Sequence, residues 1–149
     1  MICYKEKISE MAEKYCLQMV YAFGSRGKEI LDLVEERIDQ LSATPSDLDI
    51  GVKSGKYLSV EEKVEIAIFF EDLFSLPRVD VVVLDEAPVL LALEIVTGEL
   101  LYCRDEVFEA KYQLYILAQA GDLKFIQRTK LKRDMGGEVQ LAPEEIFDI

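Results

Sequence analysis

The sequence predicts an α/β fold, in which a small mixed sheet carries helices mainly on one face. Apolar residues recur at three- and four-residue steps in several segments, the signature of amphipathic helices. Between those segments lie short apolar or alternating runs, "MVYAF", "SDLDIGV", "RVDVVVLD" and "ELLYC", that read as strands. The two kinds alternate along the chain from helix to final helix, which is the order of an α/β domain. A length of 149 residues is close to the usual size of one domain and can bury a sizeable core, so a single domain over residues 1–149 is expected, with its core at about 15–120.

The elements follow in order. Ile8, Met11, Ala12, Tyr15, Cys16 and Met19 mark one face of an opening helix. "MVYAF" reads as a buried strand ending at Gly24. Helical period returns over residues 28–41, with Ile30, Leu31, Val34, Ile38 and Leu41 on one side, and "SATPS" stops it. "SDLDIGV" alternates with period two, so Leu48, Ile50 and Val52 share one face and Asp47, Asp49 and Gly51 the other. Ser59 followed by Glu62 is a capping-box start for a helix whose apolar face is read as Val60, Val64, Ala67, Ile68 and Phe74, ending before Pro77. The valine-rich "RVDVVVLD" is the strongest strand. Pro88 opens a short helix through "VLLALEIV", Gly98 closes it, and "ELLYC" adds a strand. A last helix spans about 105–131, followed by an acidic tail at 134–149 expected to be loosely held or ordered on a partner.

Charge narrows the function. With 17 Lys and Arg against 29 Asp and Glu and no His, the net charge is -12, which argues against a nucleic-acid backbone as the partner. Cys3, Cys16 and Cys103 are odd in number and form no CxxC pair, so neither a disulfide framework nor a zinc site is indicated, and a cytoplasmic setting fits. The first residues lack the apolar core of a signal peptide, and the longest apolar stretch is too short to span a membrane.

Three acids and one turn carry the chemistry. Asp47 and Asp49 emerge on one face of a strand, where two close carboxylates repel unless a cation neutralises them. Oxygen ligands without His or paired Cys point to Mg²⁺, with Mn²⁺ as the alternative. Asp80 faces away from Val79, Val81 and Val83. If its strand neighbours that of Asp49, the three carboxylates can hold two metals about 4 Å apart, the arrangement that serves phosphoryl and nucleotidyl transfer. Gly24 and Ser25 stand where a strand hands over to a helix, a place suited to phosphate oxygens. Each piece also has an ordinary reading. Gly-Ser serves as turn and N-cap, Ser-Asp-x-Asp as a solvated strand entrance, and a lone Asp in a valine strand as an edge device.

In combination these residues resemble the minimal nucleotidyltransferases of the DNA polymerase beta-type superfamily. Their pattern is a Gly-Ser ending the first core strand, an Asp-x-Asp on the second and a third acid on a later strand. It falls on Gly24 and Ser25, on Asp47 and Asp49, and on Asp80; residues 87–112 also look like the family's region after the third acid. The resemblance implies that Asp47, Asp49 and Asp80 are catalytic and bind two Mg²⁺ ions. It implies that Gly24 and Ser25 hold the phosphates of ATP, with Arg26 assisting, and that Asp80 helps deprotonate an acceptor hydroxyl. Many such proteins are similar to antitoxins that transfer AMP to a tyrosine of a HEPN toxin, so a HEPN partner and a homo- or hetero-oligomer are implied. A non-catalytic antitoxin acting by contact, and transfer to a small molecule, are the alternatives. One departure is the spacing: family members place Asp-x-Asp about ten residues after Gly-Ser, whereas here a longer, apparently helical stretch separates Ser25 from Asp47.

Overall fold

Four strands form one mixed sheet in the order β3-β2-β1-β4. They are β1 (Leu17–Phe23), β2 (Leu48–Ser54), β3 (Val79–Val83) and β4 (Glu99–Cys103). The structure, a computed structural model, describes residues 3–43 and 46–134, with side chains as far as residue 122. β1 runs antiparallel to both β2 and β4, and β2 runs parallel to β3. A parallel neighbour needs a long crossover, which α3 (Val60–Phe74) supplies. Among the described residues no helix is long and apolar enough to cross a membrane.

β1 is apolar at nearly every position, so it must be covered on both faces. Leu17, Val20 and Ala22 enter one core with Leu48, Ile50, Val52, Val79 and Val83, under α1 (Tyr4–Lys14), α2 (Gly27–Val34) and α3. Met19, Tyr21 and Phe23 enter the other, under α4 (Val89–Val96) and α5 (Glu106–Asp134). A register shift between Leu17 and Met19 inserts one residue into β1 and sets this alternation. Three helices thus lie on one face and two on the other. The apolar octet "VLLALEIV" supplies part of the second cover: it buries Ala92, Ile95 and Val96 and leaves Leu90 and Glu94 exposed. At Gly51 an added Cβ would stand 2.3 Å from Ile95 Cγ2, so the glycine lets α4 lie directly on β2.

Three helices depart from the sequence reading. The helix expected over 28–41 ends at Val34. Its end is closed by backbone bonds from Glu36 N to Leu33 O (3.1 Å) and from Arg37 N to Asp32 O (2.8 Å), with Glu36 in the left-handed region at φ 62°. This closure normally uses glycine. A glutamate in that place gives no stop signal, and Ile38 and Leu41 keep the apolar spacing because they still pack on the core from irregular chain. In α3 the face is different: Ile66, Phe70 and Phe74 are buried, while Val60, Val64 and Ile68 are exposed. The helix is apolar on two sides, and the core takes the side with the larger rings, where Phe70 stacks on Phe74.

The opening helix is shorter than its apolar pattern. It ends at Lys14, Cys16 turns the chain at φ 57°, and Met19 belongs to β1. The capping box is formed, with Ser59 Oγ accepting from Glu62 N and Glu62 accepting from Ser59 N, both at 3.1 Å. Asp105 caps the last helix by accepting from Val107 N at 2.9 Å. The acidic tail from residue 135 onward lies outside the described residues.

Candidate active site

The end of β1, the starts of β2 and β3 and the start of α2 meet at one end of the sheet. β1 stops at Phe23, and Gly24 turns the chain at φ 77°, its carbonyl accepting from Gly27 N at 3.3 Å. An added Cβ at Gly24 would stand 2.7 Å from Asp49 Oδ2. Phe23 and Asp49 are partners across the antiparallel ladder, so the turn and the acid are direct neighbours. Gly24 and Ser25 are both exposed, at the point where the unpaired amides of the first turn of α2 begin.

Asp49 is also paired with Asp80, across the parallel ladder of β2 and β3. Residues in that relation point to the same face on strands about 4.8 Å apart. They stand on the face that α4 and α5 cover, beyond the start of the apolar packing there. Burial first, and then the negative charges of Asp80, Asp47 and Glu94, push the Asp49 carboxyl above its ordinary range. Asp47 precedes β2 by one residue and is exposed.

Three charged residues change the picture drawn from sequence. Arg26, expected to assist with the phosphates, is 3% exposed. Its guanidinium donates to Ser42 O at 2.8 Å, to Ser46 O at 3.2 Å and to Glu29 Oε1 at 3.3 Å, so those bonds are made to the protein. Arg78 donates to Asp80 Oδ1 at 3.2 Å and gives the third acid a counter-ion. Glu94 of α4 adds a fourth carboxylate whose field reaches Asp49. Sequence reading passed over Glu94, although one charge in an otherwise apolar octet is a signal that something polar lies opposite.

The donor set suits a hard cation. Asp47, Asp49 and Asp80 offer only oxygen, and the carboxyl of Asp49 is raised by burial first and by its acidic neighbours second. Among the described residues no three such side chains are drawn together closely enough to form a metal cage as they stand. Arg78 is paired with one of the three, so a bound cation would need the acids drawn closer together than they stand. A turn able to cradle phosphate beside such a patch is the equipment of an enzyme that handles phosphoric anhydrides.

Comparison with known proteins makes the class specific. The family model described as polymerase beta, nucleotidyltransferase, matches residues 6–107, well over half of the chain. The chain belongs to this nucleotidyltransferase family. No curated protein matches it. Several solved structures are similar in fold. One is a mutant of the toxin–antitoxin MntA-HpeT, with 20% identity, a TM-score of 0.65 and coverage of 89% of this chain and 98% of that one. A toxin–antitoxin structure with AMP-PNP has 21% identity, the same TM-score and the same coverage. A third is the tri-AMPylated Shewanella oneidensis HEPN toxin in complex with MNT antitoxin, with 21% identity, a TM-score of 0.61 and coverage of 90% and 97%. At these identities the likeness establishes the fold.

Proposed function

We propose that this chain is a Mg²⁺-dependent nucleotidyltransferase that moves AMP from ATP to a hydroxyl, a tyrosine of a HEPN-type toxin, and so acts as an intracellular antitoxin. The observation that carries the reading is the pairing of Asp49 with Asp80 on one side and with the Gly24 turn on the other. Fold relatives described with AMP-PNP and with an AMPylated HEPN toxin support the choice of nucleotide and acceptor. Bound Mg²⁺ or Mn²⁺ would be held by Asp47, Asp49 and Asp80 and would supply charge neutralisation for the triphosphate and the reacting oxygens.

In this reading Gly24 and Ser25 receive phosphate oxygens and hold the chain of phosphates along the turn. Asp80 takes the proton of the acceptor hydroxyl as its oxygen forms a bond to the α-phosphorus. The bond from that phosphorus to the bridging oxygen breaks, and pyrophosphate leaves. The test is transfer of label from α-labelled ATP to the partner in Mg²⁺. Asp47→Asn and Asp80→Asn should each abolish transfer, and label on the partner with both variants would sink the assignment of the acids.

A second reading is favoured by the Arg78–Asp80 ion pair, which occupies the third acid. In it the chain neutralises its toxin by contact alone. Toxin inhibition by the Asp47, Asp49 and Asp80 triple Asn variant, without nucleotide, would select it.

A further inference from the structure

Among the described residues Arg26 is the one charged side chain that is buried. A guanidinium taken out of water is costly unless its donors are met. Arg26 has Glu29 as counter-ion at 3.3 Å and two carbonyl acceptors, while its Nε is buried without a partner. The acceptors are informative. Ser42 and Ser46 both belong to the irregular chain that leads from α2 to β2, and Ser46 is the residue before Asp47. Arg26 itself is the residue after Ser25. One side chain therefore bridges the neighbour of the turn serine and the neighbour of the first acid.

Glu29 extends the bridge. Its Oε1 accepts from Ser42 N and its Oε2 from Ser42 Oγ at 3.0 Å, so the same loop is fastened to α2 from two sides. The placement matters because Asp47 lies outside the β2 ladder and is exposed. Asp49 is fixed by strand pairing, whereas Asp47 is held by Leu48 of β2 on one side and by the loop on the other. We propose that Arg26 is a positioning residue: it locks the loop carrying Asp47 onto the start of α2, so that the Gly24–Ser25 turn and the acid pair form one preset unit. The proposal rests on the nucleotidyl-transfer reading given above. Lysine cannot replace arginine here, since one ammonium on a flexible stem does not present the fork that meets Ser42 O, Ser46 O and Glu29 together.

The experiment compares wild type, Arg26→Lys, Arg26→Ala and Glu29→Gln as full chains. Each is assayed for label transfer from ATP to the partner well below its own Tm, with kcat, KM for ATP, Mg²⁺ activation and Tm all measured. Displacement of Asp47 by about 1 Å predicts a kcat loss on the order of tenfold to a hundredfold in Arg26→Lys. KM for ATP should change little, and Mg²⁺ activation should shift to higher concentration. Millimolar guanidinium should restore part of the kcat of Arg26→Ala, and Glu29→Gln should show a smaller loss of the same kind if the Arg26 variants do not fold. Wild-type kcat and Mg²⁺ activation in variants that have only lost Tm would reduce Arg26 to a stabilising bond and overturn the proposal. A raised KM for ATP at unchanged kcat would make it a direct phosphate contact, which also overturns it. Absence of transfer by the wild type would instead defeat the reading on which the proposal stands.

Discussion

Asp49 shows how a site residue is held against its own preference. Its carboxyl is partly buried and faces Asp80, Asp47 and Glu94, and its proton affinity is raised as a result. The folded protein therefore binds more protons than the unfolded chain from the ordinary carboxylate range up to that raised value. Stability falls as pH rises through this window, and the cost is fully present at neutral pH. Asp49→Asn is expected to raise Tm in EDTA at pH of about 7 and to gain less at pH of about 4, as read by circular dichroism. It should also lower nucleotide transfer at least about a hundredfold, the scale of losing one electrostatic partner of a transition state. Millimolar Mg²⁺ should raise the Tm of the wild type by a few degrees and leave that of Asp49→Asn unmoved, because only a cation bound to the folded state stabilises it. An equal shift in both would separate the metal from Asp49. Gly24→Ala should cost about 1–2 kcal/mol for its left-handed backbone, and more through the displaced Asp49 carboxylate.

At the scale of elements, α4 and β2 meet through one missing methyl. Gly51→Ala places a Cβ into Ile95, an overpacking that typically costs about 1–3 kcal/mol. Ile95→Ala alone should cost about 2–5 kcal/mol as a cavity. In the double variant the two defects share the same space, so urea unfolding should give a total smaller than the sum by at least about 1 kcal/mol. Strict additivity would mean that α4 shifts away from the sheet instead of meeting the new methyl. The same scale explains what could be read from sequence. β2, β3 and the Ser59 to Glu62 cap were legible because alternation and capping are local. The end of α2 was not, because Glu36 closes it without glycine and Ile38 and Leu41 keep the helical spacing for tertiary reasons. Nor was the buried face of α3, whose two apolar sides are separated only by what they pack on. Within the candidate site, Gly24, Asp47, Asp49 and Asp80 could be found as a pattern of strand ends. Glu94 and the clamp of Arg26 on Ser42 and Ser46 depend on elements apart in sequence, and periodicity carries no record of them, whereas the Arg78–Asp80 pair joins residues two apart and was open to a local reading.

Over the whole molecule the balance of charge is -12, the candidate site's carboxylates included. Such a surface repels the triphosphate it would have to admit, so nucleotide should enter chiefly as its Mg²⁺ complex. A basic protein, by contrast, is drawn in. If the partner is recognised partly through this charge, its association rate should be high at low salt. It should then fall about tenfold or more between roughly 50 and 300 mM NaCl, over which the screening length falls by about half. The dissociation rate should change much less, since it reports contacts already formed and shielded from salt. Stopped-flow mixing with the partner at several ionic strengths separates the two rates. An association rate that ignores salt while dissociation accelerates would assign recognition to apolar contact, for which Val60, Val64 and Ile68 on the outer face of α3 are already exposed.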